Sequence, residues 1–415
     1  EVYDHEKPLW RRILVGFLLW TGILGFGFIG LSLLAASAHA QSVDNPVTGK
    51  ALMHRFIRVP ASLSTQDPNW ITPLDMERAE SFSPQHNPLF SHTEVQFWLA
   101  VRDGRDVGRI SAQIEATNVQ KGDMTGYFGL IAAEDDAAIF AALFATAEAW
   151  LKARGMTQVI GPFNLGINEE AGLLVDGFDT PPMLLMGHDQ PYVSERVMGA
   201  GYAKAKDIYA YISTIADPLP RGAQLLLKRK RPANITMRPL SFKNYRRDID
   251  SISEIFNQAW MDNWRFSPLS PEDTDHLAKA LKPILNEKLV WFVDIDGEPA
   301  GFGVCLPNLN EALVGLDGKL LPLGWAKLLW RLKVSGVKTC RVPLMGVKRK
   351  FAGSFAGAVM PFLIIDAMRR EALAMGYEKV ELSWVLEDNL PMRNFCETYG
   401  AKAYKTYRLF EKTLS

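Results

Sequence analysis

Two carboxylates, an amide and a thiol near the carboxyl terminus have residue types and spacing suited to proton chemistry. Glu387, Asp388 and Asn389 follow a β-rich segment at residues 379–385, and Cys396 lies seven residues after the asparagine. Carboxylates can accept a proton, directly or through a water, and a thiol with a pKa of about 8.5 can donate one. The alternatives are that the two acids are solvated surface groups and that Cys396 is a buried structural residue.

A basic, glycine-containing turn upstream is a candidate phosphate site. An apolar strand is predicted over residues 340–347, and the turn at 348–357 carries three consecutive basic residues and two glycines. A strand followed by such a turn and a helix start presents backbone N–H groups and the positive end of the helix dipole, which suits a pyrophosphate. The residues assigned to this site are Met345, Gly346, Val347, Lys348, Arg349, Lys350, Gly353, Ser354, Ala356 and Gly357.

The elements that must position these groups follow from the sequence periodicity. After the turn, apolar residues recur every three to four positions up to Met375, which predicts a helix that Gly376 ends. An alternating strand follows at 379–385, then a short helix and a last strand at 404–410. The order of strand, turn, helix, strand, acidic tip and helix predicts an α/β (α+β) domain with a mixed sheet.

An internal repeat extends this prediction to the rest of the chain. A hairpin with an Asp-Gly turn at residues 95–114 matches a second hairpin at 289–306, and each is followed by a strand and a helix. Residues 201–209 also echo residues 400–407. We therefore expect two tandem halves with the same fold.

Length and composition agree with two domains and exclude some functions. The chain has 415 residues, more than one core usually supports. Equal numbers of basic and acidic residues, 46 of each, argue against a nucleic-acid partner. Three scattered cysteines and the lack of zinc-like spacing argue against a metal site. The predicted segments are a hydrophobic leader at 1–46, an amino-terminal domain at 47–216, a linker at 217–234 and a carboxy-terminal domain at 235–415.

The leader raises the question of location. Arg11 and Arg12 precede an apolar run at 13–36 that is about long enough to span a membrane, and residues 38–40 resemble a signal-peptidase site. The arginines would direct the rest of the chain outward. That orientation conflicts with the chemistry inferred below, which uses a cytoplasmic co-substrate. We therefore expect an inner-membrane-associated protein with a cytoplasmic catalytic domain. Export is the alternative if the leader is a true signal peptide, and a leader derived from an extended reading frame is a third reading.

Three of these features together resemble the GNAT superfamily of acyl-CoA-dependent N-acyltransferases. They are the strand that ends at Val347, the turn into Gly353 and Gly357, and Asn389 followed by Gly400. The resemblance implies that acyl-CoA, or an acyl-carrier thioester, is a co-substrate and that no cofactor is tightly bound. It also implies that the backbone of residues 344–347 pairs with the pantetheine arm and supplies an oxyanion N–H.

The chain departs from the usual GNAT pattern in two places. The pyrophosphate loop keeps its last glycine but lacks the first basic residue and the central glycine, and the basic residues just upstream could supply the charge. A tyrosine that often lies seven residues after the asparagine is replaced by Cys396. By resemblance, Glu387 and Asp388 are candidates for the base, and Cys396 is a candidate for protonating the thiolate.

Two segments are candidates for binding the acceptor. Asn257, Trp260 and Trp264 are predicted to lie on successive turns of one helix face, where they could wall a site for a long-chain amine; core packing is the alternative. A carboxylate-rich insertion at 164–182 could attract an ammonium, although solvated acids on a lid would have the same composition. Its candidate residues are Asn168, Glu169 and Glu170.

A basic amphipathic segment at residues 318–336 suggests contact with a membrane surface. The residues predicted to share one helix face are Trp325, Leu328, Leu329 and Leu332, and those largely off that face are Lys327, Arg331 and Lys333. Packing of this face on its own domain is the alternative.

Several segments resemble a bacterial group of tandem GNAT proteins that includes the bacterial ceramide synthases. They are residues 67–70 with 73–74, 87–88, 168–170 with 176–178, 257–264 and 383–389, and the resemblance spans about residues 47–415. It implies a long-chain N-acyltransferase whose acceptor is a sphingoid-type amine. The alternatives are a Fem-like aminoacyl transferase that uses aminoacyl-tRNA and a non-catalytic GNAT fold that only binds acyl-CoA or lipid.

Overall fold

The computed structural model describes residues 42–228 and 232–415, and the sheet these residues form is continuous across both halves of the chain. The strands are β1 (Ser42–Pro46), β2 (Thr93–Arg102), β3 (Arg105–Glu115), β4 (Thr125–Ala133), β5 (Gln158–Gly161), β6 (Phe163–Asn164), β7 (Glu170–Ala171), β8 (Leu173–Asp176), β9 (Ala203–Thr214), β10 (Ile235–Pro239), β11 (Val290–Ile295), β12 (Glu298–Pro307), β13 (Thr339–Val347), β14 (Lys379–Leu386) and β15 (Lys402–Thr413). The helices are α1 (Gly49–Leu63), α2 (Asp75–Ser81), α3 (Ala116–Gln120), α4 (Ala137–Lys152), α5 (Val193–Gly199), α6 (Arg221–Lys228), α7 (Tyr245–Ala259), α8 (Pro271–Leu281), α9 (Asn310–Leu313), α10 (Gly324–Trp330), α11 (Phe355–Ala374) and α12 (Leu390–Tyr399).

The two halves of the chain repeat one arrangement of elements. Hairpins β2–β3 and β11–β12 turn at Asp103-Gly104 and Asp296-Gly297, where all four residues have positive φ, as tight hairpins with an Asp-Gly turn require. A third antiparallel strand follows each hairpin, and a parallel strand comes next after an intervening helix. This arrangement confirms the predicted tandem α/β fold with mixed sheets.

The halves exchange their last strands. The order along the sheet is β1-β2-β3-β4-β5-β15-β9-β14-β13-β12-β11-β10, and β8 also pairs with β15. Strand β9 of the first half therefore lies between β14 and β15 of the second half, and β15 pairs with β5 of the first half. The predicted linker at 217–234 separates the halves along the chain, but each half completes its sheet with a strand from the other.

Helices cover both faces of the sheet because the strands alternate their apolar side chains. In β2, Trp98 and Ala100 pack with α4, whereas Phe97 and Leu99 pack with α1 on the opposite face. The second half repeats this pattern with α11 and α7. There, Val293 packs with α11 and Phe292 packs with α7.

The predicted leader falls almost wholly outside the described residues. Its last residues, Ser42–Pro46, form β1 and pair antiparallel with β2. Within the two described ranges, no helix is both long enough and apolar enough to cross a bilayer. The predicted location at the inner membrane remains a prediction.

Candidate active site

A wedge opens in the second half where β13 and β14 separate. The two strands pair in parallel only from Thr339↔Lys379 to Val342↔Leu382. Beyond that point β13 continues along β12 and β14 continues along β9. Within the described part of the chain, the edge of β13 that faces the wedge has no strand partner over residues 343–347.

A β-bulge in β13 accompanies this separation. Arg341 pairs with Leu306 and Leu344 pairs with Val304, so β13 has one residue more than β12 between these two pairs. Such bulges bend a strand and end pairing. The first half repeats the feature, since β4 advances from Gly129 to Ala132 between Ser111 and Arg109, with Leu130 at φ +50°.

The equivalent wedge in the first half is filled by the chain itself. The Asn164 side-chain oxygen accepts a hydrogen bond from the Leu130 backbone N–H at 2.7 Å. The Phe163 carbonyl accepts one from Gln113 at 2.5 Å, and a Cβ on Gly129 would lie only 1.8 Å from that carbonyl oxygen. No pantetheine arm can follow β4 here without displacing the β6 segment.

The turns after the wedges carry opposite charge. In the first half, residues 134–136 are Glu-Asp-Asp, and Asp136 caps α4 by accepting from the Ala138 N–H. In the second half, residues 348–350 are Lys-Arg-Lys, and Ser354 caps α11 by accepting from the Gly357 N–H at 3.0 Å. An open strand edge and a basic helix start therefore occur together only in the second half, among the residues the structure describes.

The basic side chains now pair with acids at the surface. Lys348 Nζ lies 2.7 Å from Glu254, Arg349 lies 3.0 Å from Asp262, and Lys350 lies 3.6 Å from Glu298. Lys348 is largely buried, whereas Arg349 and Lys350 are exposed. Exposed ion pairs contribute little, about 0–1 kcal/mol, so a phosphate group can compete for Arg349 and Lys350.

The predicted cofactor-site glycines have different surroundings. A Cβ on Gly346 would lie 2.7 Å from the Trp260 ring, and one on Gly357 would lie 2.0 Å from the Phe351 carbonyl. Gly353 has open space around it. Of the other predicted residues, Met345 is buried and Val347 is half-buried, both on β13. Ala356, in the first turn of α11, packs against the core.

The predicted acids lie just beyond the end of β14 and are paired with lysines of β9. Glu387 contacts Lys204 at 2.7 Å and accepts from the Asp207 N–H at 3.2 Å. Asp388 contacts Lys206 at 2.7 Å, and this hydrogen bond lowers the pKa of the Asp388 carboxyl. Glu387 is the less exposed acid, with 26% of its side chain accessible against 59% for Asp388.

The other two predicted catalytic residues belong to α12. Asn389 caps this helix by accepting from the Met392 N–H at 3.1 Å. Cys396 is fully buried beside Phe395, and burial raises the pKa of its thiol to about 12. A thiol that holds its proton so tightly is a poor donor to an ordinary thiolate, whose pKa is about 8.5. These surroundings match the structural alternative for Cys396.

A buried polar network lies at the apex of the wedge, and sequence analysis did not identify it. Arg341 on β13 is directly opposite Glu381 on β14, and their charged atoms are 3.2 Å apart with side chains 4% and 0% exposed. Ser383 donates to Glu381 at 2.6 Å, and Tyr404 donates to the same carboxylate. The sequence feature that could have revealed this network is one charged residue in each of two otherwise apolar strands, with opposite signs, namely Arg341 in β13 and Glu381 in β14.

The helix predicted to carry the acceptor-wall residues is shorter than expected. Helix α7 ends at Ala259, so Asn257, Trp260 and Trp264 do not share a helix face, and that prediction is wrong. The chain leaves the helix because the Asn257 amide binds both the N–H and the carbonyl of Leu269, at 2.9 and 3.1 Å. Trp260 covers Gly346 of the wedge, whereas Trp264 stacks on Phe163 of the first half.

The acidic insertion borders a large cavity that is lined by both halves of the chain. Asn168 is exposed and donates to the Ser267 carbonyl, and Glu169 accepts from Asn87 at 3.2 Å. Glu170 lines the cavity, whose volume is about 380 Å³, and pairs with Arg78 at 2.5 Å. Burial would raise the pKa of Glu170, but Arg78 outweighs this effect and the pKa lies below its ordinary value. The candidate acceptor residues therefore divide between the wedge and this cavity.

Further ionisable residues that the sequence analysis did not assign also line the cavity. His188 is buried and bonds Asp67 at 2.8 Å, and burial lowers the pKa of its imidazole. Asp189 accepts from the Leu174 N–H at 3.0 Å. Arg109 donates to the Phe56 carbonyl. No three His, Cys, Asp or Glu side chains within the described ranges are arranged to hold a metal ion.

Two acids near the cavity give a testable pH dependence. Burial raises the pKa of Glu169 and that of Asp189 to about 7 each, above their ordinary values near 4. The folded state then holds protons that the unfolded state releases, so stability falls as pH rises from about 4 to about 7, by up to about 1.4 kcal/mol per pH unit per group. The double variant Glu169→Gln and Asp189→Asn should have a flatter profile of unfolding free energy in this range.

The matched control for this experiment is Glu378→Gln, which removes an acid that is 64% exposed. Its profile should follow the wild type. A double variant with the same slope as the wild type would contradict the assignment of raised pKa values to Glu169 and Asp189.

Comparisons with known proteins agree with the fold. No protein-family model matches the chain. The bacterial ceramide synthase of Caulobacter vibrioides is 54% identical over 380 residues, covering 91% of this chain and 99% of that protein. Protein YghO of Escherichia coli is 42% identical over 375 residues, covering 90% and 96% respectively.

A solved structure has the same overall architecture. It is a tandem GNAT protein from the clavulanic acid biosynthesis pathway, with a TM-score of 0.51 and 13% identity over 88% of this chain and 95% of that one. Similarity at this identity shows the fold. Together with the closer sequence relative, it means that this chain is an acyltransferase and belongs to the family of the bacterial ceramide synthase, built from two tandem GNAT halves.

Proposed function

We propose that the protein transfers a long-chain acyl group from acyl-CoA to the amine of a sphingoid-type base. The observation that carries this proposal is the combination of an unpaired β13 edge with the basic turn at the start of α11. The first half has the same bulge and wedge, but its wedge is filled and its turn is acidic. The acyl thioester therefore belongs to the second half. The name of the Caulobacter relative supports the choice of acceptor.

The reaction forms an amide bond and breaks a carbon–sulfur bond. The amine nitrogen attacks the thioester carbonyl, the nitrogen loses a proton to a base, and the departing thiolate takes up a proton. Backbone N–H groups on the free edge of β13 would donate to the oxyanion, and the first turn of α11 would hold the pyrophosphate. The amine and the carbonyl must be held together, because positioning supplies much of the rate acceleration.

The apex network would fix the wedge in this geometry. Arg341 also donates to the Leu184 carbonyl at 2.8 Å, so it ties β13 to a loop of the first half. Glu387, at the mouth of the wedge, is the candidate base because its partner Lys204 can be exchanged for the substrate ammonium. Asp388 is the weaker candidate, since its lowered pKa makes it less basic.

An assay with purified full-length protein tests the proposal directly. With palmitoyl-CoA and 3-ketosphinganine, we expect stoichiometric release of free CoA thiol and formation of an N-acyl product detectable by mass spectrometry. No product across acyl lengths and amines would refute the proposal. Binding of acyl-CoA without turnover would instead indicate a non-catalytic protein, and a shift of aminoacyl-tRNA in a gel would favour the Fem-like alternative.

The basic turn gives a more specific prediction. Replacing Lys348, Arg349 and Lys350 together by alanine should raise the KM for acyl-CoA about 10-fold or more, because charge-assisted hydrogen bonds to phosphate contribute about 1.5–3 kcal/mol each. The kcat should change little, since these residues are not near the thioester. In the matched control, Glu134 and Asp135 of the equivalent turn become alanine, and the KM for acyl-CoA should stay unchanged. A fall in KM in the control, with no change in the basic-turn variant, would move the acyl-CoA site to the first half, because the lost carboxylates would no longer repel the phosphates.

A further inference from the structure

A surface of exposed apolar side chains surrounds helix α10. We call it the tryptophan face, and it consists of Leu321, Leu323, Trp325, Leu329, Trp330 and Val334. Each of these residues is at least 41% exposed, and Leu323 reaches 71%. Soluble monomers rarely expose contiguous apolar patches of this kind without a binding role.

The charged residues of this segment are all basic. Between residues 318 and 338 the sequence has five basic residues and no acidic residue. Lys327 and Lys333 are exposed on the same helix and its continuation, the π-helical turn Arg331–Ser335. Exposed tryptophan and leucine flanked by lysine are typical of segments that lie at the headgroup boundary of an anionic bilayer.

A neighbouring strip of the same helical segment lines the cavity. Leu328 and Leu332, one turn apart, are half-buried and form part of its wall. Arg331 holds the helix in place by donating to the carbonyls of Ala312 and Val314, at 2.9 and 2.6 Å. Helix α10 therefore separates the exposed tryptophan face from the cavity by a single layer of side chains.

The cavity itself has an amphiphilic lining. All its charged and histidine lining residues, including Arg78, Glu170 and Asp189, belong to the first half of the chain. The second half contributes seven apolar residues and Asn310, whose amide N–H groups already bind the carbonyls of Pro182 and Met183. A lining that is largely apolar and carries its charged groups on one half only suits a single-chain amphiphile with a polar head.

We infer that the tryptophan face rests on an anionic lipid bilayer and that the cavity behind α10 receives the alkyl chain of an amphiphilic amine drawn from it. On entry the polar head would lie near the Arg78–Glu170 pair, and the chain would run along Leu328 and Leu332. The amine would then pass to the wedge, which borders the cavity where Arg341 donates to the carbonyl of Leu184, a residue of the cavity lining. This inference deepens the proposed function, since it identifies where a lipid acceptor enters. A bilayer fits better than a protein partner because the apolar surface, the basic charge and the amphiphile-shaped cavity occur on one helix.

Vesicle binding and two acceptors test the inference with the full-length protein. The surface variant carries Leu323→Ser, Trp330→Ser and Val334→Ser, and the matched control carries Met198→Ser, Leu225→Ser and Leu373→Ser, three apolar residues exposed elsewhere. We expect the wild type and the control to sediment with vesicles of phosphatidylcholine and phosphatidylglycerol. The surface variant should bind at least about 10-fold more weakly, because three apolar anchors are lost. Pure phosphatidylcholine vesicles should bind the wild type less well.

Activity measurements then distinguish entry of the lipid acceptor from the acyl-transfer step. The surface variant should lose activity with a long-chain amine embedded in vesicles and keep activity with a water-soluble short-chain amine. A second variant, Leu328→Trp, reduces the space in the cavity and should lose long-chain activity in detergent as well, with thermal unfolding measured to confirm that it folds.

The possible outcomes decide the matter independently of the proposed function. Equal vesicle binding by the surface variant and the control overturns the membrane assignment. Wild-type protein that does not bind vesicles also overturns it, and would mean that another protein or the leader covers the tryptophan face. Full long-chain activity in Leu328→Trp overturns the cavity assignment. If the wild type acylates neither amine, the proposed function fails, and vesicle binding still tests the surface.

Discussion

The variant Glu381→Gln should lower the free energy of unfolding by about 3–5 kcal/mol, as measured by urea denaturation. The substitution leaves Arg341 buried, with a side chain 4% exposed, and without an opposite charge. Removing one partner of a buried ion pair costs this much because the remaining charge stays in a poorly solvating interior. Arg341 keeps its hydrogen bonds to Ser383 and Leu184, at 2.8 Å each, but these neutral groups do not balance the charge.

Two further variants test whether the pair is the cause. In Arg341→Met combined with Glu381→Gln, the buried charge is gone and the glutamine oxygen can still accept from Tyr404, so the loss should be smaller than in Glu381→Gln alone. The exposed pair Lys350 and Glu298, 3.6 Å apart, provides the control, since Glu298→Gln should change stability by less than about 0.5 kcal/mol. Additive losses in the double variant would show that Arg341 and Glu381 are not energetically coupled.

The variant Gly346→Val should reduce kcat/KM for acyl transfer by about 100-fold, the cost of misplacing a reacting group by about 1 Å. Gly346 lies on the free part of β13, and a Cβ there would come within 2.7 Å of the Trp260 ring and 3.2 Å of the Ala259 Cβ. Either the tryptophan or the strand edge must shift, and both border the space proposed for the thioester. Activity is measured by thiol release, and folding is checked by thermal unfolding.

A rescue variant and a control accompany this prediction. Adding Trp260→Ala removes the clashing ring, so the double variant should recover part of the lost activity if the strand edge is what moved. Gly222→Ala in α6, where nothing lies within 4 Å of the new Cβ, should leave activity unchanged. Full activity in Gly346→Val would mean that the reaction takes place away from the β13 edge.

The local architecture of each half could be predicted from the sequence because its causes are local. The Asp-Gly dipeptides at 103–104 and 296–297 determine the hairpins, since those residues accept positive φ at low cost. The apolar periodicity after Ser354 predicts α11, whose buried residues include Ile364, Ile365, Met368 and Ala372 of the expected stripe. Phe362 and Leu363 are buried as well, so the buried surface of the helix is wider than a single stripe. The basic turn and its glycines are also visible in the sequence, and they favour the second half as the site of acyl-CoA.

The remaining features depend on contacts between distant parts of the chain. Whether a wedge is open depends on what enters it, and neither Phe163 nor Asn164 differs in type from an ordinary loop residue. The exchange of β9 and β15 depends on which strands meet in the folded sheet, and alternation within a strand does not specify its neighbour. Helix α7 was predicted too long because the Asn257 amide ends it through a side-chain contact with Leu269.

The exchange of last strands has a consequence for how this protein can be taken apart. Strand β15 pairs with β5 and β9 along most of its length, and β9 pairs with β14, so removing either half strips a central strand from the other. A gene cut between the halves would therefore yield two fragments that are insoluble when expressed singly. Expressed together, the same fragments should assemble by complementation, with the wedge and the cavity in the same relative positions although no peptide bond joins the halves.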